Sequence, residues 1–220
     1  MVNSINFLVQ EILMPDNVPI PDIVVGRLPT YLRELQRMAQ DGQGITSSQE
    51  LGKRLGISAA QIRKDLSLFG EFGKQGTGYT ISFLVDKLRQ ILKVNCVWDI
   101  ALVGAGDVGH ALANYQGFAD RGFRIVMVFD NDHKKIGTQI GSFIVKPIDN
   151  LIGEIRKASI KVAMLAVPVN QAQKVADLLV EAGIKAILNY APTSLNVPEG
   201  VHLQHTDPVT HLQRMTYYLK

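Results

Sequence analysis

Apolar and polar residues follow two different periods along this chain, and the change falls near Val94. From Thr30 onward, Leu32, Leu35 and Met38 recur at helical spacing until the punctuation Asp41-Gly42-Gln43-Gly44 stops them. A second predicted helix is capped by Ser47 or Ser48, turns Leu51 and Leu55 inward and ends at Gly56, where glycine tolerates a left-handed backbone. After a very short turn, Ser58 caps a third helix whose Ile62, Leu66 and Phe69 face inward. Two short helices about a glycine turn make a helix-turn-helix. The run from Gly70 to Ile81, with four glycines and strand-forming ends, suits a β-hairpin wing. Residues 82–93, with Phe83, Leu84, Leu88 and Leu92, read as a linking helix.

Beyond Val94, short β-rich runs alternate with helices. Strands are predicted at 98–103, 124–130, 162–167, 185–189 and 201–205, with a weaker one near 143–146. Intervening helices at about 107–116, 148–157 and 170–182 make this a βαβ arrangement on a largely parallel sheet. An amphipathic end helix carries Leu212, Met215 and Leu219. At the other end, Ile5, Leu8, Val9, Ile12 and Leu13 share one face of a short helix that Pro15, Pro19 and Pro21 cut off. The fold class expected is therefore α/β: an arm (1–26), a winged-helix unit with its linking helix (27–93), a Rossmann-type parallel-sheet domain (94–206) and a C-terminal helix (207–220).

Composition narrows the function classes. With 220 residues and 46% hydrophobic content, a sizeable core can form. No stretch approaches the roughly 20 uncharged apolar residues of a membrane span. The first twenty residues carry no Lys or Arg to open a signal peptide, which points to a cytoplasmic protein without a membrane partner. The single cysteine, Cys96, excludes an intramolecular disulfide and reads as a small core residue; no Cys/His cluster has metal-ligand spacing, so no metal is expected. The net charge of +3 hides an asymmetry: residues 27–95 hold eleven Lys or Arg against six acids, whereas residues 1–26 hold three acids and no base. A local basic surplus suits a nucleic-acid partner.

The most specific motif runs from Ala101 to Gly109, a strand entering a glycine loop of the kind that binds NAD or NADH. Gly104 permits the tight turn, Gly106 lets backbone amides approach a pyrophosphate, and Gly109 allows close helix-to-strand packing; Ala105, Asp107 and Val108 complete the loop. The next strand ends at Asp130, twenty-one residues after Gly109, where a carboxylate can accept from the adenosine ribose hydroxyls and favour NAD over NADP. The plainer reading is an Asp that starts the Asn131-Asp132 turn. Lys134 and Lys135 could approach the adenosine end or form a solvated pair, and stay outside the assignments. A dehydrogenase needs a proton-transfer group beside the nicotinamide and room for a substrate domain. His110, His133, His202, His205 and His211 all read as surface or structural, so no catalytic residue is assigned; a small NAD-dependent oxidoreductase is the alternative.

The third helix, Ser58 to Asp65, suits a major-groove reader. Gln61 and Lys64 lie three apart on one face with Arg63 beside them, and Lys74, Gln75 and Gly76 at the wing tip could reach a phosphate or a minor groove. Solvated surface charges are the alternative.

Taken together, these residues resemble the Rex family of bacterial NADH-sensing transcriptional repressors from about Arg27 to Leu219. The resemblance rests on Arg27-Leu28-Pro29-Thr30-Tyr31-Leu32-Arg33, on Gln61 to Ser67 with Phe69-Gly70 and Phe72-Gly73, and on Gly109-His110-Ala111-Leu112 with Asn114-Tyr115. Lys135-Ile136-Gly137 and Ala182-Gly183-Ile184-Lys185, leading to Asn189-Tyr190-Ala191-Pro192, extend it. It implies a homodimer on a palindromic operator, bound with NAD or no ligand and released by NADH, with the helix from Asp207 exchanged between subunits. It also implies cofactor contacts from Val167, Pro168 and Tyr115, and a switch in which Asp207 bonds Tyr115 in one state and Arg33 in the other; a plain helix N-cap is the alternative for Asp207. The chain departs from the family pattern at Pro208, where a bulky apolar residue is usual, at Lys74-Gln75, and at Ala166, which replaces a Thr. A related repressor that senses another nucleotide is a further alternative.

Overall fold

The computed structural model describes residues 20–72 and 78–219. The chain forms two compact units that part between Asn95 and Cys96.

The N-terminal unit runs α1 (Asp22–Val25), α2 (Leu28–Gln40), β1 (Ile45–Thr46), α3 (Ser48–Leu55), α4 (Ala59–Ser67), β2 (Tyr79–Thr80) and α5 (Ile81–Ile91). Helix α2 buries Leu28, Tyr31, Leu32, Leu35 and Met38, the stripe that its period demands, against α3 and α5. Ser47, not Ser48, caps α3: its Oγ accepts from the Glu50 N–H at 3.1 Å, while Ser48 is buried. Gly56 closes α3 in the left-handed region at φ 68°. Ser58 caps α4 through the Gln61 N–H, and Ile62 and Leu66 are buried. Phe69 lies beyond the end of α4, partly buried against the same core.

One expectation changes in this unit. Of the segment read as a hairpin, Tyr79–Thr80 pairs antiparallel with Ile45–Thr46, a strand the punctuation after α2 concealed; Glu71 and Phe72 belong to no strand. The wing-tip residues Lys74, Gln75 and Gly76 lie outside the described residues. The arm is described only from Ile20, and there α1 turns Val24 into the interior.

The C-terminal unit is a seven-stranded sheet: β3 (Trp98–Val103), β4 (Phe123–Asp130), β5 (Gln139–Ile140), β6 (Phe143–Pro147), β7 (Val162–Leu165), β8 (Ala186–Asn189) and β9 (His202–His205). The spatial order is β5-β6-β4-β3-β7-β8-β9, parallel except for the short β5. Without β5 this is the doubly wound order of a dinucleotide fold, in which the chain reverses direction across the sheet between β3 and β7. Successive β3 residues face opposite sides: Ala101 and Val103 pack toward α7 (Leu151–Ala158) and α8 (Val169–Ala182), Ile100 and Leu102 toward the other face. The helix after the glycine loop, α6 (Asp107–Ala113), is shorter than expected and is followed by a tighter 3-10 stretch, Gln116–Arg121. The last helix, α9, spans Pro208–Thr216 and buries no side chain. Cys96 is exposed, because it precedes β3 in the joining segment, not the core. Among the described residues no helix is long and apolar enough to cross a membrane, and no cluster of His, Cys, Asp or Glu could hold a metal ion.

Candidate functional site

The carboxyl ends of β3, β4 and β7 open onto a cavity of about 520 Å³. Gly104, Gly106, Asp130, Val167 and Pro168 line it, so five of the predicted cofactor residues converge there from three strands and their following loops. Ala105 and Gly109 are buried just behind the wall, Asp107 opens α6, and Val108 is exposed.

The glycine loop explains itself at two positions and points outward at the third. Gly104 has φ 104°, and a Cβ there would lie 2.1 Å from the Ala166 carbonyl oxygen. A Cβ at Gly109 would lie 1.8 Å from the Gly104 oxygen. At Gly106 a Cβ meets no protein atom within 4 Å, so nothing in the protein itself requires a glycine there. The missing side chain leaves room on the cavity wall for a group to approach the backbone, which fits a pyrophosphate.

Asp130 is buried at the tip of β4. Its Oδ2 accepts from the Ala105 N–H at 2.7 Å, its Oδ1 from the Asp132 N–H at 2.8 Å, and the Lys135 ammonium stands 3.4 Å from Oδ2. Burial pushes the carboxyl up, but the two N–H groups and then Lys135 outweigh it and hold it below the ordinary carboxylate value. Asp130 does open the Asn131-Asp132 turn, and it also faces the cavity, so the two sequence readings describe one residue. Lys135, left aside in the sequence, lines the same cavity. Ile148, Ile152, Val175 and Leu178 supply an apolar wall with Gln171 and Lys174 at its edge. No local signal marks these six; α7, the 3-10 turn Ile148–Asn150 before it, and α8 bring them in.

Tyr115 is half exposed, lies off the cavity wall and stacks edge-on against Phe118 with centroids 5.0 Å apart. Asp207 caps α9, accepting from the Val209 N–H at 2.9 Å and the Thr210 hydroxyl at 3.0 Å; its partners lie on its own helix. Arg33 is exposed on α2.

In the N-terminal unit, α4 presents Arg63 and Lys64 to solvent. The Arg63 guanidinium donates to Ser48 Oγ at 3.0 Å, which steadies it over the start of α3. Gln61 does not share this outer face: its amide donates to Asp65 Oδ1 at 2.7 Å, and the side chain is half-buried. Ser58 spends its hydroxyl on the cap. The buried Asp65, missed as a site residue, had one sequence signal: a charge three positions after Ile62, on the inward stripe.

Comparison with known proteins bears on both halves. Residues 19–67 match the family described as "Putative DNA-binding protein N-terminus", and residues 95–193 match "CoA binding domain". A redox-sensing transcriptional repressor Rex of Chloroflexus aggregans is 49% identical over 90% of this chain and 94% of its own length. The crystal structure of RSP with β-NAD+ and operator DNA superposes with a TM-score of 0.87 at 35% identity, covering 92% of this chain and 94% of RSP. That of RSP, a Rex-family repressor, with β-NADH gives 0.84 at 33%, covering 92% and 95%. Both units, the helix-turn-helix and the doubly wound sheet, thus have their counterparts in single chains of one kind, and this chain belongs to the Rex family of redox-sensing transcriptional repressors.

Proposed function

We propose that this chain is a repressor that measures the NADH/NAD balance, holding operator DNA with NAD or no ligand and letting go with NADH. One observation carries the reading: a single polypeptide joins a helix-turn-helix with exposed Arg63 and Lys64 to a cavity in which the Gly104–Gly109 loop meets Asp130. The structures of RSP with NAD+ and operator DNA, and with NADH, support it. The cofactor is a signal here, not a reagent, and the protein acts as a cytoplasmic regulator and not as an enzyme.

In this reading Gly104 to Gly109 cradle the pyrophosphate, Asp130 takes the adenosine ribose, and Val167, Pro168 and Tyr115 face the nicotinamide end. The DNA set is Ser58 at the cap of α4, Arg63 and Lys64 on α4, and Lys74, Gln75 and Gly76 of the wing; Gln61, which the sequence placed with them, is engaged by Asp65. The working domains are 27–93 and 94–206, and the helix of 207–220 is exchanged in a homodimer that matches a palindromic operator. The exposure of Leu212 and Met215, 58% and 63%, supports that exchange, since an amphipathic helix is stable only when its apolar stripe is covered. Asp207, Tyr115 and Arg33 form the switch: Asp207 leaves its cap to bond one or the other, and NADH and NAD bind the two states unequally.

A titration on a palindromic operator tests this. Micromolar NADH should release the DNA and equal NAD should not; insensitivity to both overturns the sensing role. Calorimetry with NADH, NAD, NADPH and ATP on the same protein separates a redox sensor from a repressor that senses another nucleotide.

A further inference from the structure

The N-terminal unit buries a charge cluster that DNA contact and cofactor sensing leave unused. Asp65 on α4 has a fully enclosed side chain. Arg27, just before α2, donates to it through Nε at 2.6 Å and Nη2 at 2.7 Å; the Tyr31 hydroxyl donates at 2.6 Å and the Gln61 amide at 2.7 Å. Four donors fill the lone-pair sites of one carboxylate, so none is left for water or a ligand. The arrangement is self-consistent in its protonation: Asp65 is held ionised below its ordinary value although burial opposes this, and the Tyr31 hydroxyl is pushed up by burial and by its bond to Asp65.

Such a cluster is a poor source of stability. Desolvating an ion pair costs about as much as the pair returns, and apolar side chains of equal volume often hold a fold as well. What the fork supplies is geometry, because a guanidinium and a carboxylate paired through two parallel bonds share one plane. Arg27 and Tyr31 sit at the start of α2, Gln61 and Asp65 on successive turns of α4. Turning α4 about its axis breaks the three bonds from Arg27 and Tyr31, while the Gln61 bond, internal to α4, turns with the helix and only orients the carboxylate; the same turn would carry Arg63 and Lys64 off the outer face.

We infer that Asp65, with Arg27, Tyr31 and Gln61, is a positioning cluster that sets the rotation of the DNA-reading helix, and that Gln61 belongs to this cluster and not to the base-reading set. The inference rests on the DNA-binding role proposed above. Its variants are Asp65→Asn, which keeps the shape and removes the charge, Tyr31→Phe, which removes one bond and keeps the ring, and Arg27→Lys, which keeps the charge and removes the fork. Each full-length variant is measured on an operator duplex and on a scrambled duplex, well below its unfolding midpoint, and by calorimetry with NADH.

Asp65→Asn and Tyr31→Phe should lower operator affinity by about tenfold or more while scrambled-duplex and NADH affinities stay unchanged; Arg27→Lys, which keeps the charge, should still lose the parent's preference for the operator. Equal losses on both duplexes, or a folded Asp65→Asn that binds the operator like the parent, overturn the assignment. Should Asp65→Asn fail to fold, Tyr31→Phe decides on the same two duplexes. A parent chain without preference for the operator overturns the DNA reading itself, and this assignment with it.

Discussion

Each unit buries one carboxylate among its described residues, Asp65 at 0% exposure and Asp130 at 6%, and their surroundings differ in kind. Asp65 is held by side chains alone, from Arg27, Tyr31 and Gln61. Asp130 is held mainly by backbone N–H groups, from Ala105 and Asp132, with Lys135 at the longer distance of 3.4 Å. The first is closed on every side; the second faces a cavity. A buried acid whose partners saturate it works as scaffold, whereas one anchored by the main chain at a cavity wall keeps capacity for a ligand. Burial and a depressed pKa, which the two share, do not distinguish these roles.

The largest expected effects lie in the loop behind Asp130. Gly104→Ala meets both a strained φ and the Ala166 oxygen, and should destabilise the C-terminal unit by about 3 kcal/mol or more with loss of NADH binding. Gly106→Ala, with open space around its Cβ, should leave the melting temperature unchanged yet still weaken NADH. Normal NADH affinity in that variant breaks the claim that this wall is the ligand's.

Next in size, Asp130→Ala should cost about 1.5–3 kcal/mol of NADH binding, the worth of hydrogen bonds to a charged group, and narrow the preference over NADPH. Asp65→Asn should cost none. Calorimetry on the two variants puts the contrast between the carboxylates to a direct test.

Acid sharpens it further. Both carboxyls are held below the unfolded value of 3.8, so each contributes stability that is present above that value and lost as pH falls through the lower folded one. Thermal melts from about pH 6 to pH 3 should show both units weakening below about pH 4. Asp65→Asn should flatten only the acid limb of the N-terminal unit, and saturating NADH should protect only the other. The smallest effect is local: Ser58→Ala removes the cap on α4 and should lower stability by about 1 kcal/mol, with NADH binding untouched.

Much of this molecule was legible along the chain. Gly56 and Ser58 bound the turn of the helix-turn-helix because capping and left-handed turns are decided within a few residues. The strand at 98–103 and the Gly104–Gly109 loop were placed for the same reason, since a short apolar β-rich run and the glycine spacing are local properties. Where the reading slipped, the cause lay at a distance. The strand Tyr79–Thr80 finds a partner at Ile45–Thr46, more than thirty positions back, and Gln61, polar and seemingly outward, donates to Asp65 one turn on.

The sequence by itself determined the two units, most of their elements and the Gly104–Gly109 loop, because period, caps and glycine positions act over a turn or two. Only the tertiary structure decided which residues meet. Arg27 reaches Asp65 across thirty-eight positions, and Asp130 shares a cavity with Gln171 and Lys174. The order in which strands join a sheet and helices cover it brings such groups together, and no short stretch of chain encodes that order.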